Sequence, residues 1–181
     1  MRKLIEAAFV SLDGVVESAE QWAMPYFRNE ENKQYSLSRL MECDAFLFGR
    51  LTYGLIEAIG SAVPKRDTYY DRVASMPKFV ASKTLREVSA NATLIKGDTA
   101  EEIAKLKQQP GKNIMKYGNG SLDPILIEHN LIDEFSFSII PVVVGKGRRL
   151  FEGIDTSHLK LKLTDTKRFS SGIVYLSYTR E

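Results

Sequence analysis

Short apolar runs alternate with stretches of helical period along most of this chain, and a glycine or a hydroxyl-bearing turn closes nearly every run. Leu4–Val10, apolar with β-branched residues, predicts a first strand that breaks at Ser11-Leu12-Asp13-Gly14. Residues 15–26 mix polar and aromatic side chains around Pro25 and predict a loop rather than a helix. Asn29 is placed to cap a helix running to about Met41, with Tyr35, Leu37, Leu40 and Met41 on one side. Ala45–Phe48 predicts the second strand and Thr52–Ile59 the helix after it. A loop over 60–64 and a short helix over 67–76 follow, with Tyr69, Tyr70 and Val73 on one face. Lys78–Ala81 and Ala92–Ile95 read as the next two strands. Thr99–Gln108 reads as a helix capped by Asp98, Asn113–Tyr117 as a strand and Leu122–His129 as a helix.

After Glu134 the pattern changes. Phe135–Val144 is a long apolar run carrying Pro141, and Leu159–Phe169 and Ile173–Thr179 alternate about a hairpin signal at Ser170-Ser171-Gly172. Alternating strand and helix calls for a parallel sheet, and the last third for an antiparallel one. The prediction is a single domain over 1–181, an α/β fold with one mixed sheet and helices on both faces.

Composition narrows the function classes. Hydrophobic residues at 44% and charged residues at 27% describe an ordinary globular chain. The 25 basic and 23 acidic residues are interspersed and leave a formal charge of +2, so nothing calls for nucleic acid. No run reaches the roughly 20 apolar residues of a membrane span, and Glu6 interrupts any signal-peptide core. One cysteine, Cys43, and two histidines, His129 and His158, exclude a disulfide, a thiolate zinc site and a His-rich metal site. Cys43 reads as a small packing residue, and a reducing cytoplasm is the expected compartment.

Two glycine turns carry the candidate chemistry. Phe46-Leu-Phe-Gly49-Arg50-Leu51-Thr52-Tyr53 is a strand that ends at glycine and opens a helix with a guanidinium and a hydroxyl at its start. That arrangement aims backbone N–H groups at a phosphate ester, although Gly49 and Thr52 also suit a plain strand end and helix cap. Tyr117-Gly118-Asn119-Gly120-Ser121 repeats it. This second turn is shorter than the G-x-G-x-x-G fingerprint and lacks that fingerprint's acidic residue, which leaves a close backbone approach to a pyrophosphate or an ordinary turn. Ser82-Lys83-Thr84 follows a strand and suits either a 2′-phosphate or a solvated cap. Asp13 is a turn aspartate or a substrate-facing carboxylate. Trp22, Tyr26 and Phe27 stack on a planar heterocycle or cover the core. Asp133-Glu134 reads as the charged, solvated start of a strand, and His129 as a helix-end residue. Two phosphate-type turns in one small domain point to a dinucleotide and redox chemistry.

Taken in order, Ser11-Leu12-Asp13-Gly14, Trp22-x-x-Pro25, Gly49-Arg50-x-Thr52-Tyr53, Ser82-Lys83-Thr84-Leu85, Gly118-x-Gly120-Ser121-Leu122, Leu131-Ile-Asp133-Glu134 and Pro141-Val-Val-Val-Gly145-x-Gly147-Arg148-Arg149-Leu150-Phe151 resemble the dihydrofolate reductase superfamily. Within it the chain is similar to the reductase domain of bacterial riboflavin biosynthesis and its stand-alone relatives. The resemblance implies a three-layer α/β/α dihydrofolate-reductase-like fold whose mostly parallel sheet ends in an antiparallel C-terminal hairpin. It implies an NADPH site at Gly49, Arg50, Leu51 and Thr52 and at Gly118, Asn119, Gly120, Ser121 and Leu122, with Ser82 and Lys83 at the 2′-phosphate. It places a small-molecule substrate near Asp13, Trp22 and Tyr26, with Asp13 polarising or protonating it and Lys146, Arg148 or Arg149 on a substrate phosphate. It also implies a homodimer through the C-terminal part of the sheet. The reaction implied is hydride transfer to a C=N or C=O bond of a small heterocycle or a ribosylamino-pyrimidine. The alternative is a nucleotide-binding or sensor module without turnover. Dihydrofolate reductases carry a carboxylate two residues after the W-x-x-P proline; here that position is Phe27, which argues against folate reduction. The H-x-E and P-C-x-x-C zinc ligands of the deaminase half of bifunctional riboflavin enzymes are absent.

Overall fold

The apolar runs become eight strands: β1 (Leu4–Ser11), β2 (Cys43–Gly49), β3 (Lys78–Ala81), β4 (Ala92–Ile95), β5 (Asn113–Tyr117), β6 (Glu134–Ile140), β7 (Leu161–Arg168) and β8 (Val174–Arg180). Among the described residues seven helices lie between them: α1 (Ala19–Trp22), α2 (Met24–Phe27), α3 (Glu30–Met41), α4 (Arg50–Ala62), α5 (Thr68–Ser75), α6 (Thr99–Gln108) and α7 (Asp123–Glu128). The structure is a computed structural model and describes residues 1–62 and 68–181. The strands form one sheet in the order β4-β3-β2-β5-β1-β6-β8-β7.

Strand alternation sends successive side chains to opposite faces. Ile5, Phe46, Phe48, Val80 and Met115 point to one face, where they pack with Leu40 of α3, Tyr53 of α4 and Val73 of α5. Leu4, Leu47, Ile114, Phe135 and Phe137 point to the other, against Ile103 and Leu106 of α6 and Leu126 and Ile127 of α7. The result is the α/β/α layering expected. Asn29 caps α3 by accepting the Glu31 N–H, and Asp98 caps α6 by accepting that of Glu101, each satisfying an amide that the first helical turn leaves unpaired.

Several boundaries and faces differ from the sequence expectation. Residues 15–26 are not all loop: α1 and α2 are single helical turns, and Pro25 sits at the start of α2, where a missing N–H costs nothing. Met41 is 51% exposed, while the polar Asn32 is buried in its place and donates to the Tyr26 carbonyl and to Ser171 Oγ, 2.7 Å each. Helix α4 starts at Arg50 and runs to Ala62, so residues 60–62 of the expected loop are helical; Val63, Pro64 and Asp67 lie outside the described residues. Strand β6 stops at Ile140, because Pro141 cannot donate to a ladder.

The last third is also less antiparallel than its pattern suggested. Strand β6 pairs parallel with β1, and only β8 runs against its neighbours β6 and β7. Asp133 and Glu134 are paired rather than solvated. Asp133 accepts the Leu4 N–H at 2.7 Å and meets Lys107 Nζ at 2.6 Å, and Glu134 binds Arg39. Cys43 is fully buried, and burial pushes its thiol up to about 12. Among the described residues no helix is long and apolar enough to cross a membrane, and no group of three or more His, Cys, Asp or Glu could hold a metal ion.

Candidate functional site

From β1 the chain moves to one side of the sheet for β2, β3 and β4, and β5 then returns to lie between β2 and β1. Ligand crevices of open α/β sheets form beyond the carboxyl ends of the strands at such a reversal. A cleft of about 900 Å³ lies there, lined by residues that include Gly49, Thr52, Gly118 and Leu122. That volume is in the range of cofactor-sized pockets.

The two glycine turns face each other across this cleft. A Cβ at Gly118, whose φ is +77°, would lie 3.6 Å from Thr52 Oγ1, and one at Gly49 would lie 3.7 Å from Leu122 Cγ. Those are ordinary contact distances, so the left-handed backbone of Gly118 is what favours glycine there, and the spacing shows that the two turns touch. Arg50 opens the 13-residue α4, so that helix presents its N-terminal end beside the cleft. Leu51, 76% exposed, and Ser121 line the rim. Ser82 follows β3, whose last residue Ala81 pairs with Gly49, and Ser82 Oγ accepts the Leu85 N–H at 3.0 Å. Ser82 and the exposed Lys83 thus stand one strand away on the same sheet edge, beside the cleft rather than in it.

Beneath the second turn lies a set of buried charges that sequence reading did not find. Glu6 and Asp123 are 0% exposed and Lys116 is 3% exposed. Lys116 Nζ donates to Glu6 Oε2 at 3.4 Å and to the Gly118 carbonyl at 2.5 Å. It also sits 2.5 Å from Asp123 Oδ1, a charge contact rather than an aligned hydrogen bond. Asp123 Oδ2 accepts the Gly120 N–H, and Asn119 Nδ2 donates to Glu6 Oε1 at 3.2 Å. Arg148 closes the ring: Nη1 donates to Asn119 Oδ1 at 3.0 Å and Nη2 to the Asn119 carbonyl. Burial raises the Glu6 carboxyl to about 7 against the pull of Lys116, with Asp123 adding to the rise. Burial also works against the charge of Lys116, but Glu6 and Asp123 outweigh it and raise the ammonium. A buried charge set of this kind fixes the turn whose atoms it binds. Glu6 on β1 lies about a hundred residues before Lys116 on β5 and Asp123 on α7, and only the period-two alternation of β1 and β5 hinted that Glu6 and Lys116 point inward.

The substrate-side expectations fare differently. Asp13 does not line the cleft. Its carboxylate accepts from Ser11 Oγ at 2.7 Å, the Val144 N–H at 3.1 Å and the Gly145 N–H at 2.8 Å, which together hold it down at about 2. Asp13 therefore clamps the turn after β1 to the 142–145 loop. Trp22 lines a smaller hollow of about 270 Å³ with Glu17 and Lys146, and its Nε1 donates to the Glu17 carbonyl at 3.0 Å. Tyr26 turns toward Pro141 and also lies outside the cleft. The aromatic side chains that line it include Phe9, Phe27, Tyr69 and Tyr117, with Tyr35, Tyr70 and Tyr175 also on its wall. Phe27 stands edge-on to Phe9 at 5.5 Å and to Tyr69 at 5.3 Å, and the Tyr69 and Tyr117 hydroxyls are 2.9 Å apart. Of the basic residues after Pro141, Arg148 reaches the cleft.

Known proteins share this architecture. The family model described as the RibD C-terminal domain matches residues 2–175. Two Bacillus subtilis (strain 168) proteins whose functions are uncharacterized are similar in sequence over their whole lengths. YyaP is 33% identical, with 98% of this chain and 94% of that protein covered, and YwjB is 31% identical, with 99% and 98% covered. Among solved structures, a Shewanella sp. PV-4 protein assigned provisionally to riboflavin biosynthesis superposes with a TM-score of 0.78 at 22% identity, covering 99% of both chains. The Thermotoga maritima diaminohydroxyphosphoribosylaminopyrimidine deaminase/5-amino-6-(5-phosphoribosylamino)uracil reductase superposes at 0.66 and 13% identity, over 99% of this chain and 57% of that one. Enterococcus faecalis dihydrofolate reductase, complexed with NADP(H), superposes at 0.61 and 16% identity, over 99% of this chain and 96% of that one.

Proposed function

The chain belongs to the RibD C-terminal domain family, and from that membership and the cleft we propose that it is an NADPH-dependent reductase acting on a C=N or C=O bond of a small ring compound. The observation that carries this reading is the convergence of the two glycine turns, with Gly118 3.6 Å from Thr52 Oγ1 as measured from where a Cβ would stand. A turn in left-handed backbone at Gly118 set against the amino end of α4 suits a pyrophosphate. When bound, the dinucleotide supplies a hydride; the chain's own residues bind, orient and exclude water.

In this reading Thr52 and the N-terminal end of α4 hold one side of the pyrophosphate, and the backbone of Gly118, Asn119, Gly120 and Ser121 approaches from the other. Lys116, Asp123 and Arg148 keep the second turn in place. Arg50 adds charge at the rim, and Ser82 with Lys83 takes the 2′-phosphate that distinguishes NADPH from NADH. Asp13 acts at a distance by fixing the loop over 142–145, whose continuation carries Arg148 to the cleft. Phe27 in the aromatic wall supports the argument against a folate substrate. Two chains pairing through the C-terminal strands is part of the same proposal, since β7 is the outer strand and nearly all of its residues are exposed.

Titration with NADPH and NADH, followed by nicotinamide fluorescence, tests the reading on the wild type and on Thr52→Ala and Lys83→Ala. Micromolar NADPH binding is expected, weakened in Thr52→Ala, with Lys83→Ala losing the preference over NADH. Failure of the wild type to bind either nucleotide would remove the proposal, and NADPH binding without turnover of any carbonyl or imine would make the chain a nucleotide-responsive module.

A further inference from the structure

Resting on the reading of the cleft as a dinucleotide site, we infer that Glu6 is a proton-linked positioning residue, which takes up a proton when the pyrophosphate settles on the second glycine turn. That turn is bound from behind by charge. Glu6, with no exposure, accepts from Asn119 Nδ2 at 3.2 Å and from Lys116 Nζ at 3.4 Å. Lys116, Gly118 and Asn119 line the cleft, so the carboxyl stands one side chain behind the surface that meets the cofactor. Charges buried this close to a site are little screened by salt, and one unit charge alters the affinity for an anion by about tenfold.

The sum of the charges gives the sign. Lys116 faces Glu6 from β5 and Asp123 faces it from α7, and Arg148 reaches the set through Asn119. Helix α6 brings Lys107 to the same face of the sheet, but its ammonium meets Asp133 and the Leu131 carbonyl, 2.6 Å each, at the start of β1. With all four ionised, Glu6, Asp123, Lys116 and Arg148 sum to zero; with Glu6 neutral they sum to +1. An anion on the turn therefore favours the protonated carboxyl, and by linkage the protonated carboxyl favours the anion. The change leaves the turn in place. Lys116 is 2.5 Å from both Asp123 Oδ1 and the Gly118 carbonyl, so its contact with Glu6 is the longest of the three. A neutral carboxyl also keeps an acceptor for Asn119. Burial raises Glu6 to about 7, so a modest push from the cofactor changes its occupancy near neutrality, with the proton drawn from the buffer.

Three measurements on the intact chain test this. Calorimetry of NADPH binding at about pH 7.5, in buffers of different ionisation enthalpy, counts the protons exchanged. The wild type should take up about half a proton more than Glu6→Gln, which carries the neutral form permanently. At that pH the 2′-phosphate, whose last ionisation lies near about 6, adds little. The second reading is affinity. From about pH 6.5 to about pH 9 the NADPH dissociation constant of the wild type should rise about tenfold relative to that of Glu6→Gln, so the variant binds more tightly at the alkaline end. A purely structural part for Glu6 would instead make the variant weaker at every pH. The third needs no variant: with glutamate carboxyls labelled with carbon-13, the one that titrates near neutrality should move up by about one pH unit at saturating NADPH. If Glu6→Gln does not fold, the wild-type calorimetry and this titration decide. No proton uptake by the wild type, equal uptake by Glu6→Gln, a variant weaker throughout, or a carboxyl titration that NADPH leaves in place would each overturn the inference. NADPH bound without these signals removes this inference alone, whereas no binding of NADPH removes it together with the reductase reading.

Discussion

Replacing Lys116 with methionine is the most direct test of the buried charges. The side chains are of similar length, so the substitution removes the ammonium and little else. In the folded protein that ammonium faces two carboxylates with no exposure, Glu6 at 3.4 Å and Asp123 at 2.5 Å, and also the Gly118 carbonyl at 2.5 Å. Removing one partner of a buried ion pair costs about 3–5 kcal/mol, because the charge left behind is neither solvated nor matched. For a domain of this size that is a fall of about 6–20 °C in Tm. The loss has a pH signature. Glu6 already titrates at about 7 beside the ammonium, and without it the carboxyl takes up its proton more readily. Lys116→Met should therefore be less harmful at about pH 5.5, where Glu6 is neutral, than at about pH 8, where an ionised Glu6 must stay buried. Urea unfolding followed by Trp22 fluorescence at both pH values measures it. A loss below about 1 kcal/mol, or one larger at the acid pH, would refute the reasoning. The triple variant Glu6→Gln, Lys116→Met, Asp123→Asn should recover most of the stability; if it is as weak as the single variant, the defect is packing and not charge.

Further outcomes follow from the same geometry. In the wild type, Glu6 has its folded pKa raised above the unfolded value, so its favourable contribution is complete below about 4.5 and is lost as pH rises through about 7, on the order of 3 kcal/mol, measurable as a declining unfolding free energy over that window. Asp13 has the opposite sign: its folded pKa is depressed to about 2, so its contribution is present above its unfolded value of 3.8 and is lost as pH falls through about 2. Gly118→Ala forces a left-handed backbone on a residue with a Cβ and should cost about 1–2 kcal/mol and weaken NADPH binding; unchanged stability and affinity would show that the turn tolerates a side chain. Asp13→Asn should speed proteolysis or hydrogen exchange of residues 142–145 and weaken NADPH binding through Arg148, by less than Thr52→Ala does, and a large loss of turnover with no change in that loop would give Asp13 a direct catalytic part.

The sequence was most informative where backbone conformation leaves a mark on residue type. Gly118 follows β5 in a left-handed backbone that favours glycine, and Gly49 closes β2 where α4 opens, so both marked turns that line the cleft. Asn29 and Asp98 are read as caps because a cap needs a short side-chain acceptor at one position. The aromatic wall was harder to see. Trp22, Tyr26 and Phe27 attracted notice together as one patch, yet short helices send neighbouring side chains in different directions, and of the three it is Phe27 that turns inward to Phe9 and Tyr69. Glu6, Lys116 and Asp123 were illegible for a different reason. Each alone looks like an ordinary charged residue, and their meaning lies in a tertiary contact between strands more than 100 residues apart. At Asp13 the sequence left two readings open, because a carboxylate that anchors two backbone N–H groups of a distant loop carries the same local motif as one that faces a ligand.

The inaccessibility of Cys43 has a practical side. This is the sole cysteine of the chain, fully buried on β2, with a thiol that stays protonated under ordinary labelling conditions. The protein is thus silent toward maleimides without any prior cysteine removal. A thiol introduced at Leu51, 76% exposed on the rim of the cleft, would be the single attachment point for a dye or spin label. Occupancy of the cleft can then be followed optically on an otherwise native chain, including for ligands that never turn over.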